Sequence, residues 1–210
     1  VKTYFNVIVV VMRALKMDVQ IMNRYIANRD ELNKKYSEEQ KSGVISAKQE
    51  PNFITIDKYM KMIDDIEGLN PKTWDKKQLL VILKLYLVLP SRNELSEFTK
   101  TTKEDFNKTN RHDQSKNWAV MGKKNINLIV NEYKTQGKYG HYKEKLSKEF
   151  TNEINEMILS QPESIYLFLN SKGTQLSKNN LSQILIRASN KYIEGSPNVS
   201  TTMIRKMIAS

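Results

Sequence analysis

Residues 118–146 read WAVMGKKNINLIVNEYKTQGKYGHYKEKL, and this stretch decides the class of the fold. Three short segments, at 118–120, 126–130 and 142–146, carry apolar or aromatic residues and are separated by turns that contain Gly, Lys and Asn. This arrangement is typical of short strands joined by hairpins. The stretch therefore predicts a small three-stranded antiparallel sheet.

Helical patterns precede the sheet. Thr55 is expected to cap a helix that closes at Gly68, and Asp75 to cap a second apolar helix. Pro90 ends the second helix, because proline lacks the backbone N–H that a continuing helix needs. Arg92 then begins a new helical turn, where its guanidinium is free to leave the apolar face.

Further helical patterns follow the sheet. We predict one helix around residues 154–158, a second that Ser177 opens and that runs to Tyr192, and a last one from about Thr202. Helices, three strands and then helices predict an α+β fold that is mainly helical, with the sheet at one side.

The N-terminal segment has a helical period of its own. Its apolar residues recur at steps of four and three and predict one long helix: Ile8, Met12, Leu15, Val19, Met22 and Ile26. The charged stretch at 34–43 lacks apolar periodicity and predicts a linker that ends near Pro51. We therefore divide the chain into residues 1–50 and 51–210.

Composition narrows the function. Cysteine is absent and histidine occurs only twice in 210 residues, which excludes disulfide frameworks, zinc fingers and cysteine nucleophiles. The longest apolar run, Val7 to Met12, is too short to span a membrane, and no metal site or nucleotide-binding motif is expected. A net charge of +11 favours a polyanionic partner, with nucleic acid first, although a lysine-rich surface that serves solubility gives the same charge.

Two motifs resemble the first half of a tyrosine recombinase active site. Residues 83–95, LKLYLVLPSRNEL, resemble the box that carries the first catalytic arginine, which places it at Arg92. In the family, an acidic residue stands three positions after that arginine and Leu follows it. Here Glu94 and Leu95 come one position earlier. Residues 132–140, EYKTQGKYG, resemble the hairpin that carries the catalytic lysine. Lys134 is the candidate, and Lys138 is the alternative.

Two further motifs follow in the family's order. Residues 166–177 resemble its Leu-Phe strand, Gly turn and Ser-capped helix. Residues 199–210, VSTTMIRKMIAS, resemble its His-x-x-Arg box, with the arginine at Arg205 and Thr202 in the histidine place. Thr202 is equally expected to cap the last helix. The family's tyrosine nucleophile comes after this box, and residues 206–210 contain no tyrosine.

The resemblance implies a site-specific recombinase or integrase that cleaves and rejoins DNA through a 3′-phosphotyrosyl intermediate, without cofactor or metal. Arg92, Lys134, Thr202 and Arg205 are its catalytic residues in this chain, and without the tyrosine the chain alone is expected to be inactive. Residues 51–210 would be the truncated catalytic domain. Residues 1–50 would be the last helix of a DNA-clamping helical domain plus a linker.

The expected partners are double-stranded DNA and further copies of the protein in a synaptic oligomer, and the expected location is intracellular, wherever the target DNA lies. The Lys- and Asn-rich composition suggests a large virus or one of its mobile parasites, such as a virophage. Three alternatives stay open: a type IB topoisomerase, a recombinase-like module that only binds DNA, and a helical interaction protein whose partner-facing seam is the 8–26 stripe.

Overall fold

The structure is a computed structural model that describes residues 2–41, 45–47, 49–70, 72–110, 113–122, 124–133 and 136–209. The chain divides into two compact units, residues 1–47 and 48–210. Their identification as a DNA-clamping unit and a catalytic unit stays a prediction.

The N-terminal unit contains two helices, α1 (Lys2–Ala14) and α2 (Val19–Lys41), so the prediction of one long helix is wrong. Lys16 adopts a left-handed backbone with a φ of 50° and interrupts the helical path. Asp18 Oδ1 then accepts the backbone N–H groups of residues 20 and 21 at 2.8 and 3.2 Å. This carboxylate satisfies two free donors and starts α2 as a separate helix.

The break also divides the apolar stripe. Val9 and Met12 of α1 are buried, and the Phe5 and Tyr25 rings lie 6.1 Å apart between the two helices. Leu15 and Val19, in contrast, keep 68% and 61% of their surface exposed. The stripe is therefore not one continuous buried seam within this unit.

The charged stretch assigned to a linker is helical as far as Lys41, which corrects that part of the prediction. Residues 31–41 contain neither Gly nor Pro, and Glu31 pairs with Lys35 one turn later at 2.8 Å. Straight charged side chains have good helix propensity, and such a pair adds a few tenths of a kcal/mol, roughly 0.2–0.5. Lack of apolar periodicity therefore did not mean lack of a helix.

The second unit combines helices with a small sheet. Its longer helices are α3 (Ile56–Glu67), α4 (Trp74–Val88), α7 (Lys148–Ile158), α8 (Lys178–Tyr192) and α9 (Thr201–Ala209). Its shorter turns are α5 (Lys103–Asp105), α6 (Gln136–Tyr139), the 3₁₀ turns Glu50–Asn52 and Glu94–Glu97, and the π-helical turn Phe106–Asn110. The strands are β1 (Phe98–Thr102), β2 (Asn117–Met121), β3 (Ile126–Val130) and β4 (Tyr142–Lys145). The predicted α+β class is confirmed.

The three antiparallel strands that the sequence predicts are present as β2, β3 and β4. The described part of the sheet has one more strand, because β1 pairs in parallel with β2, Phe98 opposite Asn117. Its sequence, FTKTT, has one strongly apolar residue and gives little local signal. Pairing with β2 and the complete burial of Phe98 make it a strand.

Both faces of the sheet are covered. Ala119, Leu128 and Val130 face the main core, while Trp118 and Val120 pack on the other face against Phe106 of the β1–β2 crossover. A parallel pair requires a crossover connection, and this one supplies an apolar cover for the second face. The sheet is thereby fixed on the core.

The ends of α3 and the start of α8 follow the predictions, whereas the start of α4 does not. Thr55 caps α3 by accepting the N–H of residue 58 at 3.4 Å, and Gly68 closes that helix. Ser177 caps α8 in the same way at 3.1 Å. Asp75 does not cap α4, because the helix begins at Trp74 and Thr73 is its N-cap residue. Asp75 instead accepts a hydrogen bond from the Thr73 hydroxyl in the first turn.

Helix α4 is the centre of the second unit. Every residue from Leu79 to Tyr86 except Lys84 is buried, so the helix is apolar nearly all round, and it packs against α3, α7 and α9. Lys84 reaches the surface and bridges Glu67 of α3 and Glu153 of α7 at 3.0 and 2.9 Å. The C-terminal end of this rigid helix leads directly to Arg92.

Candidate phosphate-binding site

Arg92 lies on a turn that leaves the buried helix α4. The helix ends at Val88, two residues before Pro90, and the N–H of Ser91 returns to the carbonyl oxygen of Leu89 at 2.6 Å. The 3₁₀ turn that follows begins at Glu94. Arg92 is exposed there, as the sequence predicts for a residue at a helix junction.

Two side chains hold the backbone of Arg92. The Tyr86 hydroxyl donates to the Arg92 carbonyl oxygen at 2.8 Å, and the Arg92 N–H donates to Glu94 Oε2 at 2.6 Å. Glu94 is only 8% exposed, and a glutamate is rarely buried to this extent unless its carboxylate has a partner. The position of Arg92 is therefore set by side-chain contacts, in addition to the path of the chain.

Arg205 approaches the same place from α9, which packs against α4. The flanking residues Met203, Ile204 and Met207 are buried and fix the helix, while Arg205 is half-buried. Burial lowers the pKa of the Arg205 guanidinium, and the positive charge of Arg92 lowers it further. Glu94 and Tyr86 act on this pKa in the opposite direction. The two arginines are thus electrostatic neighbours around Glu94.

The two positive charges of Arg92 and Arg205 exceed the one negative charge of Glu94 near them. The Arg205 guanidinium is influenced by the positive charge of Arg92 and by the negative charge of Glu94, and the Glu94 carboxylate already accepts the backbone N–H of Arg92. Like charges close together repel, and an oxyanion between them relieves the repulsion and can receive paired N–H donors. The geometry therefore suits the binding of a phosphate group.

Lys178, the first residue of α8, adds a cation that the sequence analysis did not single out. It pairs with Glu97 at 2.9 Å, and that hydrogen bond raises its pKa, with further contributions from Glu132 and Glu94. Glu94 and Glu97 belong to the 3₁₀ turn after Arg92, and Glu132 follows β3. The N-terminus of α8 and the end of β3 therefore lie beside the turn that carries Arg92. A lysine directly after a Ser cap is common on surfaces, so the sequence carried no distinguishing signal.

Thr202 lies in the first turn of α9, and its predicted role as the N-cap is wrong. The helix begins at Thr201, and the Ser200 hydroxyl accepts the N–H of Met203 at 3.4 Å, so Ser200 occupies the capping position. Thr202 is exposed and lies three residues before Arg205, on the same side of the helix. Its hydroxyl is therefore free of the capping role, while its catalytic role stays a prediction.

Lys134 lies outside the described residues, as does the side chain of the alternative, Lys138. The chain just before Lys134 is held firmly. Asn117, which is 1% exposed, accepts the N–H groups of Asn131 and Glu132 at 2.8 and 2.9 Å and donates to the Glu132 carbonyl at 3.1 Å. The connection from β3 to β4 therefore leaves the sheet from a fixed point.

Replacement of Asn117 by alanine should lower the free energy of unfolding by about 1–3 kcal/mol, because it leaves the backbone N–H of the buried Asn131 without this partner and also removes the hydrogen bonds to the exposed Glu132. Asn127→Ala is the matched control, since Asn127 lies on the neighbouring strand and its amide reaches only Asn125, at 3.4 Å. Urea denaturation measures both. Equal losses would contradict the assigned role of Asn117.

Among the described residues there is neither a candidate membrane-spanning helix nor a candidate metal-binding group. No described helix has the length and apolar character required to cross a bilayer. Across the described ranges, no group of three or more His, Cys, Asp or Glu side chains is placed to hold a metal ion.

Comparisons with known proteins give matches among solved structures alone. No protein-family model and no curated protein matches the chain. The chain is similar to XerH site-specific recombinase bound to difH substrate in a pre-cleavage complex, with 12% identity, a TM-score of 0.49 and coverage of 75% of this chain. It is similar to the post-cleavage complex of XerH with palindromic difH substrate, with 13% identity, a TM-score of 0.47 and coverage of 74%. The matched regions cover 41% and 40% of those recombinase chains.

Proposed function

We propose that this chain is the phosphate-binding part of a tyrosine recombinase, which cleaves and rejoins duplex DNA through a 3′-phosphotyrosyl intermediate. One observation carries the proposal: α9 packs against α4, so that Arg205, from a distant part of the sequence, lies close enough to Arg92 and to the buried Glu94 for their charges to act on its pKa. The four motifs that resemble the family and the net charge of +11 support it.

The chemistry requires two arginines of this kind. When an oxygen nucleophile attacks a phosphodiester, negative charge increases on the non-bridging oxygens of the phosphate. A guanidinium is planar, permanently charged and able to donate two parallel hydrogen bonds to one phosphate. Arg92 and Arg205 would each bind these oxygens, and their mutual repulsion is relieved most when that negative charge is largest.

The reaction is a transesterification in which atoms and charges balance. The phenol oxygen of a tyrosine forms a bond to phosphorus as the bond from phosphorus to the 5′-oxygen breaks, and the phenol proton is lost to a base. The departing 5′-oxygen takes up one proton, which we assign to Lys134 as general acid. Religation reverses these steps. All tyrosines in residues 1–210 precede Arg205, and none of them is assigned as the nucleophile.

A module that binds DNA without cleaving it is the second candidate. Thr202 favours it, because a hydroxyl stands where the family has an imidazole and cannot exchange protons near neutral pH as an imidazole does. Covalent capture of DNA separates the two candidates. A cleaving enzyme leaves a protein–DNA adduct after denaturation, whereas a binding module leaves none.

Duplex binding by the 210-residue chain tests the feature common to both candidates. We expect affinity to fall by about tenfold or more between 50 and 200 mM salt, because each neutralised phosphate releases counterions. Arg92→Ala and Arg205→Ala should each reduce the salt slope by about one. Fluorescence anisotropy over a salt series measures both quantities.

Arg187→Ala is the matched control, since Arg187 is exposed on α8 and is not among the residues that act on Arg205. It removes the same charge but should leave the slope nearly unchanged. Binding that is insensitive to salt, or equal slopes for the three variants, would contradict the assignment of Arg92 and Arg205 to phosphate.

A further inference from the structure

We propose that Tyr86 is a positioning residue for Arg92: its hydroxyl, bound to the Arg92 carbonyl, fixes the direction in which the guanidinium leaves the turn. This inference rests on the proposed function, since it takes Arg92 to bind phosphate. It goes further, because it assigns a role to a buried tyrosine of α4 that makes no contact with phosphate in the proposed function.

The anchor of this contact is rigid. Tyr86 is completely buried in the last part of α4, among Leu83, Leu85 and the core around them. Its ring has two side-chain torsions, both restricted by close packing. A hydrogen bond of 2.8 Å from this ring to the Arg92 carbonyl therefore transmits the position of the helix to the turn.

The side chains on the two sides of Arg92 do not add to these restraints. Ser91 Oγ and Asn93 Oδ1, on the two sides of Arg92, are shielded from solvent and make no hydrogen bond. Tyr86 holds the carbonyl of Arg92 and Glu94 holds its N–H, so the peptide groups on both sides of its Cα are restrained. Loss of the Tyr86 bond would free the C-terminal peptide group of Arg92.

The Tyr86 hydroxyl stays a hydrogen-bond donor through the neutral range, because its pKa is raised. Burial raises the pKa of Tyr86, and the Glu94 carboxylate raises it further, while Arg205 acts in the opposite direction with a smaller effect. A raised pKa keeps the phenol protonated through and above the neutral range. The contact is therefore a constant structural restraint with no titration near neutral pH.

Tyr59 provides a matched control within the same core. It is also completely buried, and its hydroxyl donates to a backbone carbonyl of α4, that of Leu83, at 3.0 Å. Tyr59→Phe and Tyr86→Phe each remove one buried hydroxyl and leave one backbone carbonyl without that donor. The two variants should lose similar stability, but only Tyr86→Phe affects Arg92.

The experiment follows the arginine Nε–Hε signals by NMR during titration with inorganic phosphate. In the unaltered chain we expect Arg92 and Arg205 to shift together. Tyr86→Phe should weaken phosphate binding at Arg92 by roughly threefold to tenfold, the usual weight of one hydrogen bond, while Tyr59→Phe leaves it unchanged. The amide of Asn93, which belongs to the same peptide group as the Arg92 carbonyl, should also exchange its hydrogen faster in Tyr86→Phe than in Tyr59→Phe.

The outcomes separate the two proposals. If phosphate shifts neither Arg92 nor Arg205 in the unaltered chain, the proposed function fails and this inference fails with it. If phosphate binds but the two phenylalanine variants behave alike in affinity and exchange, the positioning role alone is wrong. As a rescue, 4-aminophenylalanine at position 86 retains an N–H donor and should restore most of the phosphate affinity; no recovery would also count against the role.

Discussion

Replacement of Arg205 by lysine is expected to reduce DNA cleavage by a factor of about 10²–10³, the usual cost of one lost charge-stabilising donor at a developing oxyanion. The same holds for Arg92→Lys. Lysine keeps the positive charge but cannot donate two parallel hydrogen bonds to phosphate. Duplex binding should therefore fall much less than cleavage, because binding depends mainly on charge.

The measurement requires a form of the protein that leaves a covalent adduct with DNA after denaturation. A nicked substrate traps this adduct, and cleavage is compared with binding at one salt concentration. Arg187→Lys is the matched control, because Arg187 is exposed on α8 and undergoes the same exchange. Near-normal cleavage by both Arg92→Lys and Arg205→Lys would remove these arginines from the active site.

Lys134→Ala is expected to slow cleavage of an ordinary phosphodiester by about 10²–10⁴, the range for loss of a general acid. The reason is the leaving group, since a 5′-alkoxide is a poor one unless it is protonated. A substrate with sulfur in the 5′-bridging position leaves without a proton, and the variant should cleave it at nearly the unaltered rate.

Lys138→Ala is the comparison for this test, because it removes an equivalent charge from the same connection between β3 and β4. If Lys138→Ala shows the loss and the rescue instead, the general acid is Lys138. If neither variant is rescued by sulfur, these lysines act on the phosphate through charge alone and the general-acid role is wrong.

The sequence determined the parts of this fold that depend on local patterns. Strands β2, β3 and β4 carry apolar segments between turn residues, and the Thr55 and Ser177 caps stand directly before helical periods. In each case the chain signals the element within a few residues. The sequence also marked Arg92 and Arg205 as residues to examine, through motifs that resemble a recombinase.

Two features that the sequence analysis missed, strand β1 and the break between α1 and α2, depend on contacts that a local pattern does not show. Strand β1 exists because β2 offers it a partner and a buried place for Phe98, and neither is visible in FTKTT. The α1–α2 break depends on Lys16 and Asp18, which lie inside an otherwise regular apolar period. Strand pairing decides the first feature and a single capping contact decides the second. A periodicity is judged over many residues and therefore detects neither.

The candidate site shows the same division. Residue types alone identified two arginines suited to phosphate, because guanidinium chemistry is a property of the residue. Only the tertiary structure brought Arg92 and Arg205 around Glu94 and gave Tyr86 a contact with the Arg92 backbone. The turn after α4 and helix α9 come together through a packed core, and no interval along the sequence specifies which side chains such packing brings together.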